Sequence, residues 1–275
     1  MLGGFKLYKI DYHTHTNYSA DSDAPMETMI CRAIALGLTE MAMTDHVDYM
    51  YPVAPYPFQI DYDAYLFEFN TLRDKYANQI RLTLGVEFGL GAHLTDTLKA
   101  FVSRYPFEFV IGSVHDYHGD EVHTKVFWEG QTKHSGYMLY FNELLESVRN
   151  IDDFNVVGHM DYIMRYSPFA DNVLTYDGYR EVIDEILRVI VTKGKGLELN
   201  TSGFRYGLDC VHPQLAILER YRELGGEIVT VGSDAHYPRF LYERFDAAYD
   251  LLRAAGFKAI AVFRNRKPVM LDIAP

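Results

Sequence analysis

The sequence predicts an α/β protein, a distorted (β/α)7 barrel of the TIM type. Short β-type runs recur along the chain, each followed by a longer amphipathic stretch, the pattern of parallel strands joined by crossover helices. At 275 residues, with no repeat, linker or low-complexity tract to divide it, the chain has the length of one such barrel. Residues that ligate metals stand at the ends of successive β runs, where a barrel would gather them at one rim. One domain over residues 1–275 is therefore expected.

Strands are expected at 6–12, 41–45, 80–87, 107–114, 155–158, 196–199, 227–233 and 258–263. Most are near-continuous apolar runs rich in Val, Ile, Leu and Phe, as strands covered on both faces should be. Between them, amphipathic helices are expected at 26–36, 61–76, 137–148, 176–193, 213–224 and 245–255. Pro25 stands at a helix start, and Gly37, Gly194, Gly225 and Gly256 follow helix ends. Seven or eight βα units result. The aromatic segment 47–60 and the polar segment 116–135 are long enough to be active-site loops.

Composition narrows the function. Lys and Arg number 26 against 38 Asp and Glu, a formal charge of −12, and no basic block offsets it, which disfavours nucleic acid. Two cysteines, Cys31 and Cys210, are too few for a disulfide framework and suit a reducing cytoplasm. No signal-like start and no long apolar run point to a membrane. A soluble cytoplasmic protein acting on a small molecule is expected, with its oligomeric state open.

The ligand-type residues are in register with the strands. His13 and His15 close the first run, His46 the second, Glu87 the third, His115 the fourth, His159 the fifth, and Asp234 with His236 the seventh. Any one of them alone is more simply a buried polar residue or a turn former; their joint placement is not. His93, His118, His123, His134 and His212 lie elsewhere, in helices and loops. Residues two apart in an extended segment point the same way, so His13 with His15, and Asp234 with His236, can each reach one cation. With Asp21 added, these nine ligands exceed what one four-coordinate ion can use, so two to three divalent transition-metal ions are expected. Nitrogen and oxygen donors without thiolate suit Zn²⁺, Mn²⁺ or Fe²⁺.

The segments Asp11-Tyr12-His13-Thr14-His15, Thr44-Asp45-His46, Gly85-Val86-Glu87, Ser113-Val114-His115, Gly158-His159 and Gly232-Ser233-Asp234-Ala235-His236 resemble, in order, the motifs of the PHP (polymerase and histidinol phosphatase) superfamily. Gly158-His159-Met160-Asp161 with Arg165, and Glu198-Leu199-Asn200-Thr201-Ser202-Gly203 with Arg205, are similar to its histidinol-phosphate phosphatases. The resemblance implies a seven-stranded barrel with up to three metals. Its ligand roles map onto His13, His15, Glu87, His115, His159 and Asp234, with His46 and His236 completing a third site. Where several members carry a histidine six residues beyond His15, this chain has Asp21, and Asp23 competes for the same role.

The implied activity is hydrolysis of L-histidinol phosphate in histidine biosynthesis, by attack of a hydroxide bridging two ions. The alternatives are another PHP-type hydrolase, acting on a nucleotide or a phosphotyrosine, or a non-catalytic PHP interaction module. Proton delivery to the leaving oxygen is expected from Asp161, Asp234 or His236. Arg165 and Arg205, each shortly after a strand end, are expected to grip the phosphoryl group, with Asn200 and Ser202 also at the substrate. The amino-alcohol end needs an acidic partner, expected among Asp116, Asp120 and Glu121. Ser113, Ser202 and Ser233 lie in no Gly-x-Ser-x-Gly elbow, so no covalent nucleophile is expected.

Overall fold

The computed structural model describes residues 8–49 and 60–273. Most of the expected loop 47–60 and the first two residues of the expected first strand lie outside them.

Seven parallel strands form the sheet: β1 (Ile10–Asp11), β2 (Glu40–Met43), β3 (Arg81–Gly89), β4 (Phe109–Ser113), β5 (Val156–Val157), β6 (Gly196–Asn200) and β7 (Val229–Gly232). Each pairs with the next in chain order, from β1 to β7. Hydrogen bonds from Tyr12 N to Val231 O (3.0 Å) and from Asp234 N to His13 O (2.9 Å) join β7 to β1 and close the barrel. The strands are buried throughout apart from the first residue of β3, which explains their apolar rather than alternating sequences. Gly232 permits the closure, because a Cβ there would sit 2.3 Å from His13 Cβ and 2.4 Å from Glu198 Oε1.

The crossover helices are α1 (Met26–Leu36), α2 (Tyr62–Tyr76), α3 (Thr95–Arg104), α4 (Lys133–Asn150), α5 (Arg180–Thr192), α6 (Leu215–Glu223) and α7 (Phe245–Ala254). All were expected within a few residues except α3. That helix is short and follows a 3-10 turn at Ala92–Leu94, and Gly89 and Gly91 before it read as loop. Gly37 ends α1 in the left-handed region (φ 77°), and its N–H and its successor's reach back to close the last turn. The expected loop 116–135 is partly ordered as a small hairpin, Asp116–Tyr117 with Asp120–Glu121, and one helical turn at Lys125–Trp128.

The run expected as an eighth strand departs from the βα pattern. Ala259–Arg264 is a strand, here β8, but it pairs antiparallel with β9 (Lys267–Asp272), outside the barrel sheet. Asn265 and Arg266 take positive φ, which makes a tight two-residue turn. This hairpin lies against the strands' N-terminal ends, opposite the ligand rim. Arg264 grips the buried carboxylate of Glu40 through two 2.6 Å bonds, and Thr83 Oγ1 donates to the same carboxylate at 2.9 Å. The Tyr12 hydroxyl also bonds Glu40 and accepts from Phe263 N at 3.0 Å.

Replacing Arg264 with Leu should strand Glu40 as a buried, poorly compensated charge and lower unfolding free energy by about 3 kcal/mol, toward the low end because the guanidinium is partly exposed. Urea unfolding measures it; a loss below about 1 kcal/mol, the scale of a surface pair, would show that the hairpin is not held through this site.

Candidate metal centre and active site

At the strands' C-terminal ends the barrel rim is imidazole-rich, and one carboxylate lies at its centre. Glu87 is fully buried in β3. Its Oε2 lies 3.0 Å from His13 Nε2, 3.0 Å from His46 Nδ1 and 3.5 Å from His15 Nε2. Its Oε1 lies 2.9 Å from His159 Nε2 and 3.4 Å from His115 Nε2. The second strand breaks at Thr44-Asp45 and resumes at His46–Val47, with His46 in register with Glu87. That break carries His46 into the cage.

Asp234 completes the inner group, its Oδ1 3.5 Å from His15 Nε2 and 3.8 Å from His13 Nε2. It adopts φ 54°, a left-handed conformation that Asp tolerates better than most residues. The turn lets Asp234 and His236 face the same cavity. The outermost group joins His15, His46 and His236, with Asp21 Oδ2 3.1 Å from His236 Nε2 and 3.7 Å from His46 Nε2. Asp21 is about half exposed, at 46%. Asp23, by contrast, is among the cleft-lining residues without approaching any of these nitrogens in an ion pair.

The rings are fixed from behind. Glu198 Oε1 is 2.6 Å from His13 Nδ1, Ser19 Oγ is 3.0 Å from His15 Nδ1, and Asp48 Oδ1 is 3.0 Å from His115 Nδ1. Ser113 donates its hydroxyl to Glu87 Oε1 at 2.6 Å. These partners set which nitrogen each imidazole turns inward, as the supports of metal ligands do. Sequence reasoning missed Asp48 and Glu198 as supports. Glu198 is placed by the alternation of β6, whose inward residues were legible only as a strand; Asp48 follows His46 at the two-residue spacing that marks the other pairs.

The donor set fits divalent cations. Among the described residues His15 Nε2 is buried without a hydrogen-bond partner, although it faces two carboxylates. Burial, and His236 and His46 beside it, hold the His15 imidazole well below its ordinary pKa, so it is neutral and offers a lone pair. The nitrogen-to-oxygen separations around Glu87 are those of two ligands each roughly 2.0–2.2 Å from a shared ion. His13, His15 and Glu87, and His46, Glu87 and His115, form two such groups sharing Glu87, with His15, His46 and His236 as a third.

A cleft opens over the cage in two lobes. One, about 440 Å³, is bounded by the outer histidines, Arg165, Arg205 and an aromatic wall that includes Tyr162, Tyr206 and Phe240. The other, about 530 Å³, shares Asp21, His46 and His115 with it and is bounded by Asp48, Glu121 and His123. Arg165 donates to Asp234 Oδ2 at 3.2 Å and stacks on Tyr162 and Tyr206. Arg205 donates to the carbonyls of Ser233 (2.9 Å) and Asp234 (2.8 Å), holding the turn that presents Asp234.

Several expected site residues lie elsewhere. Asn200 and Ser202 are fully buried and do not line the cleft; they stand behind Arg165, bonded to it and to each other. Asp161 is also fully buried, with Oδ1 2.5 Å from His212 Nδ1 and Oδ2 accepting from Gln214 N at 3.1 Å, so its carboxylate is held away from the cleft. His212, which the sequence left among the loop histidines, thus packs beneath Arg165. Of the three acidic candidates for the substrate's amino end, Glu121 borders the cleft, whereas Asp116 and Asp120 do not.

The chain matches the PHP domain over residues 11–202. It is similar to the histidinol-phosphatase of Lactococcus lactis, at 32% identity over 264 residues, covering 95% of this chain and 96% of that protein. It is also 32% identical to a probable histidinol-phosphatase of Clostridium acetobutylicum, over 91% of this chain and 95% of that one. Its fold resembles the crystal structure of histidinol phosphate phosphatase from Lactococcus lactis complexed with zinc, L-histidinol and phosphate, with a TM-score of 0.89, 32% identity and coverage of 96% and 100% of the two chains.

Metal uptake should compete with protons here. Burial opposes the charge on His46, but Glu87, Asp21 and Asp48 outweigh it and raise its pKa to about 9 in the metal-free chain. A raised pKa stabilises fully below the unfolded value, about 6.5, and the stabilisation is lost as pH rises toward 9. The chelated protein should therefore melt progressively lower across that window while the metal-loaded protein does not, and loading at pH 7 should release protons measurable by calorimetry in two buffers. Parallel melting curves for both forms would contradict the assignment. Glu87→Ala and His13→Ala should lose metal and turnover, whereas His134→Ala, which removes a ring stacked on Tyr179 away from the rim, should keep both.

Proposed function

The chain belongs to the PHP domain family, and from that premise we propose that it hydrolyses L-histidinol phosphate to L-histidinol and inorganic phosphate as a cytoplasmic enzyme of histidine biosynthesis. The observation that carries the reading is the division of charge along one cleft. Guanidinium groups stand at one end, carboxylates at the other, and the Glu87 cage lies beneath both. An amino-alcohol phosphate carries the complementary pair of charges.

His13, His15, Glu87 and Asp234 would hold one divalent cation; Glu87 with His46, His115 and His159 a second; and Asp21, His46 and His236 border the third position. When bound, such cations supply Lewis acidity at the phosphoryl oxygens and a water acidic enough to ionise near neutral pH. Arg165 supplies the adjacent positive charge at the cleft wall, its guanidinium fixed there by Asp234, Ser202 and Asn200. Burial would raise the Asp234 pKa, but His13, His15 and Arg165 outweigh it and hold the carboxylate well below its usual range, which suits a ligand. Of the three candidates for the leaving-group proton, Asp161 is buried away from the cleft and Asp234 is held ionised, so the role is assigned to His236 at the cleft wall.

At the acidic end, Glu121 is 3% exposed, and its Oε1 is buried without a hydrogen-bond partner among the described residues, while Oε2 meets His123 at 2.9 Å. A buried carboxylate oxygen left open at a cleft is a ready acceptor for an ammonium or imidazolium group.

Glu121→Gln should raise KM for L-histidinol phosphate about tenfold and leave turnover of a simple aryl phosphate unchanged. Arg205→Lys should lower kcat/KM for both substrates, since Lys keeps the charge but cannot bond both carbonyls of the turn that presents Asp234. Steady-state kinetics on the two substrates decides. Equal catalytic efficiency of the wild type on both would leave a generic phosphatase and refute the assigned substrate.

A further inference from the structure

We propose that Asp161 and His212 form a buried relay that fixes the proton pattern and orientation of Arg165, making His212 a positioning residue for the phosphoryl group. The inference rests on the substrate reading above only for the identity of the phosphate ester.

The three side chains come from separate parts of the chain and meet out of solvent. Asp161 follows β5, Arg165 lies one turn further on, and His212 arrives from the loop before α6. Asp161 and His212 are both fully buried. Two backbone hydrogen bonds, Asn200 N to His212 O (2.7 Å) and His212 N to Asn200 O (2.8 Å), pin His212 beside the end of β6. The neighbouring loop passes close against the ring: a Cβ on Gly203 would lie 3.1 Å from His212 Nε2 and 2.3 Å from the Cys210 carbonyl. The imidazole therefore has no room to turn.

Hydrogen-bond logic then fixes the tautomer. The Arg165 guanidinium has no acceptor, so its Nε–H, 3.3 Å from His212 Nε2, must be the donor and Nε2 must be bare. The proton is consequently on Nδ1, 2.5 Å from Asp161 Oδ1. The other oxygen, Oδ2, accepts from the Gln214 backbone N–H at 3.1 Å, so both oxygens of Asp161 act as acceptors. Donors run in one direction, from Arg165 to His212 to Asp161. The negative charge is thereby transmitted to the Nε edge of the guanidinium, whose terminal nitrogens bond Asp234, Ser202 and Asn200 where Arg165 borders the cleft. Neither Asp161 nor His212 lines that cleft, so their effect on substrate passes through Arg165.

Asp161→Asn tests the relay with little change of shape. The Gln214 N–H can only donate, so the Asn oxygen turns to it and the Asn NH2 faces His212. That forces the proton onto Nε2, where it meets the Nε–H of Arg165 donor against donor. In metal-loaded protein with ¹⁵N-labelled histidine, His212, identified by its loss in His212→Gln, should be protonated at Nδ1 in the wild type and at Nε2 in Asp161→Asn. Binding of inorganic phosphate, measured by calorimetry without turnover, should weaken about tenfold in Asp161→Asn while L-histidinol binding and metal content stay unchanged. In an Arg165→Ala background the same substitution should add nothing further.

If Asp161→Asn does not fold, His212→Gln, which can still offer a carbonyl oxygen to Arg165, should bind phosphate more tightly than His212→Leu. A wild-type Nε2–H tautomer, equal loss of phosphate and L-histidinol binding, full additivity with Arg165→Ala, or equal phosphate binding by the two His212 variants would each overturn the relay. Failure of the substrate reading looks different: L-histidinol phosphate would not turn over while the tautomer and phosphate results stood.

Discussion

The structure is organised around the burial of one carboxylate, Glu87, with five imidazoles directed at it. A carboxylate removed from water is costly unless compensated, and five rings cannot all donate protons to two oxygens without accumulating positive charge in the same space. The neutral His15 shows that they do not all do so. Cations shared between the rings and Glu87 would resolve the conflict, because each ring could then present a lone pair. Much else follows from that demand: the break that brings His46 beside Glu87, the left-handed Asp234, and the glycine at 232 that lets Glu198 reach the back of His13.

Above the cage, selectivity is a matter of where charge is placed. The arginines at one end are built in rather than tethered loosely. Arg165 is held by Asp234, Ser202, Asn200 and His212, and Arg205 by backbone carbonyls and Glu243. At the other end the partly unsatisfied Glu121 provides the opposite sign. A ligand with a single negative group would use half of this arrangement, while an amino-alcohol phosphate uses both ends.

The cage was legible in the sequence because strand-end residues in a parallel barrel converge whatever their separation along the chain. His13, His15, His46, Glu87, His115, His159, Asp234 and His236 could be gathered from their register with apolar runs alone. What supports them could not. Glu198 sits in a run that reads as an ordinary buried strand, and the pairing of His212 with Asp161 joins residues that no local period relates. The same limit explains why Asp161, one turn before Arg165 and beside a ligand, read as a reacting group: its spacing is right, and only packing shows it turned away from the cleft. In the fold, α3 escaped notice between two glycine-marked turns, and β8 looked like a further barrel strand because burial by a hairpin and burial by a sheet leave the same apolar signature.

Anomalous diffraction from crystals of the metal-loaded protein would locate the cations relative to Glu87. At least two metal peaks should flank the Glu87 carboxylate, about 3.5–4 Å apart, each also approached by the histidines assigned to it. A single peak, or peaks remote from Glu87, would contradict the reading of this carboxylate as the bridge on which the site is built.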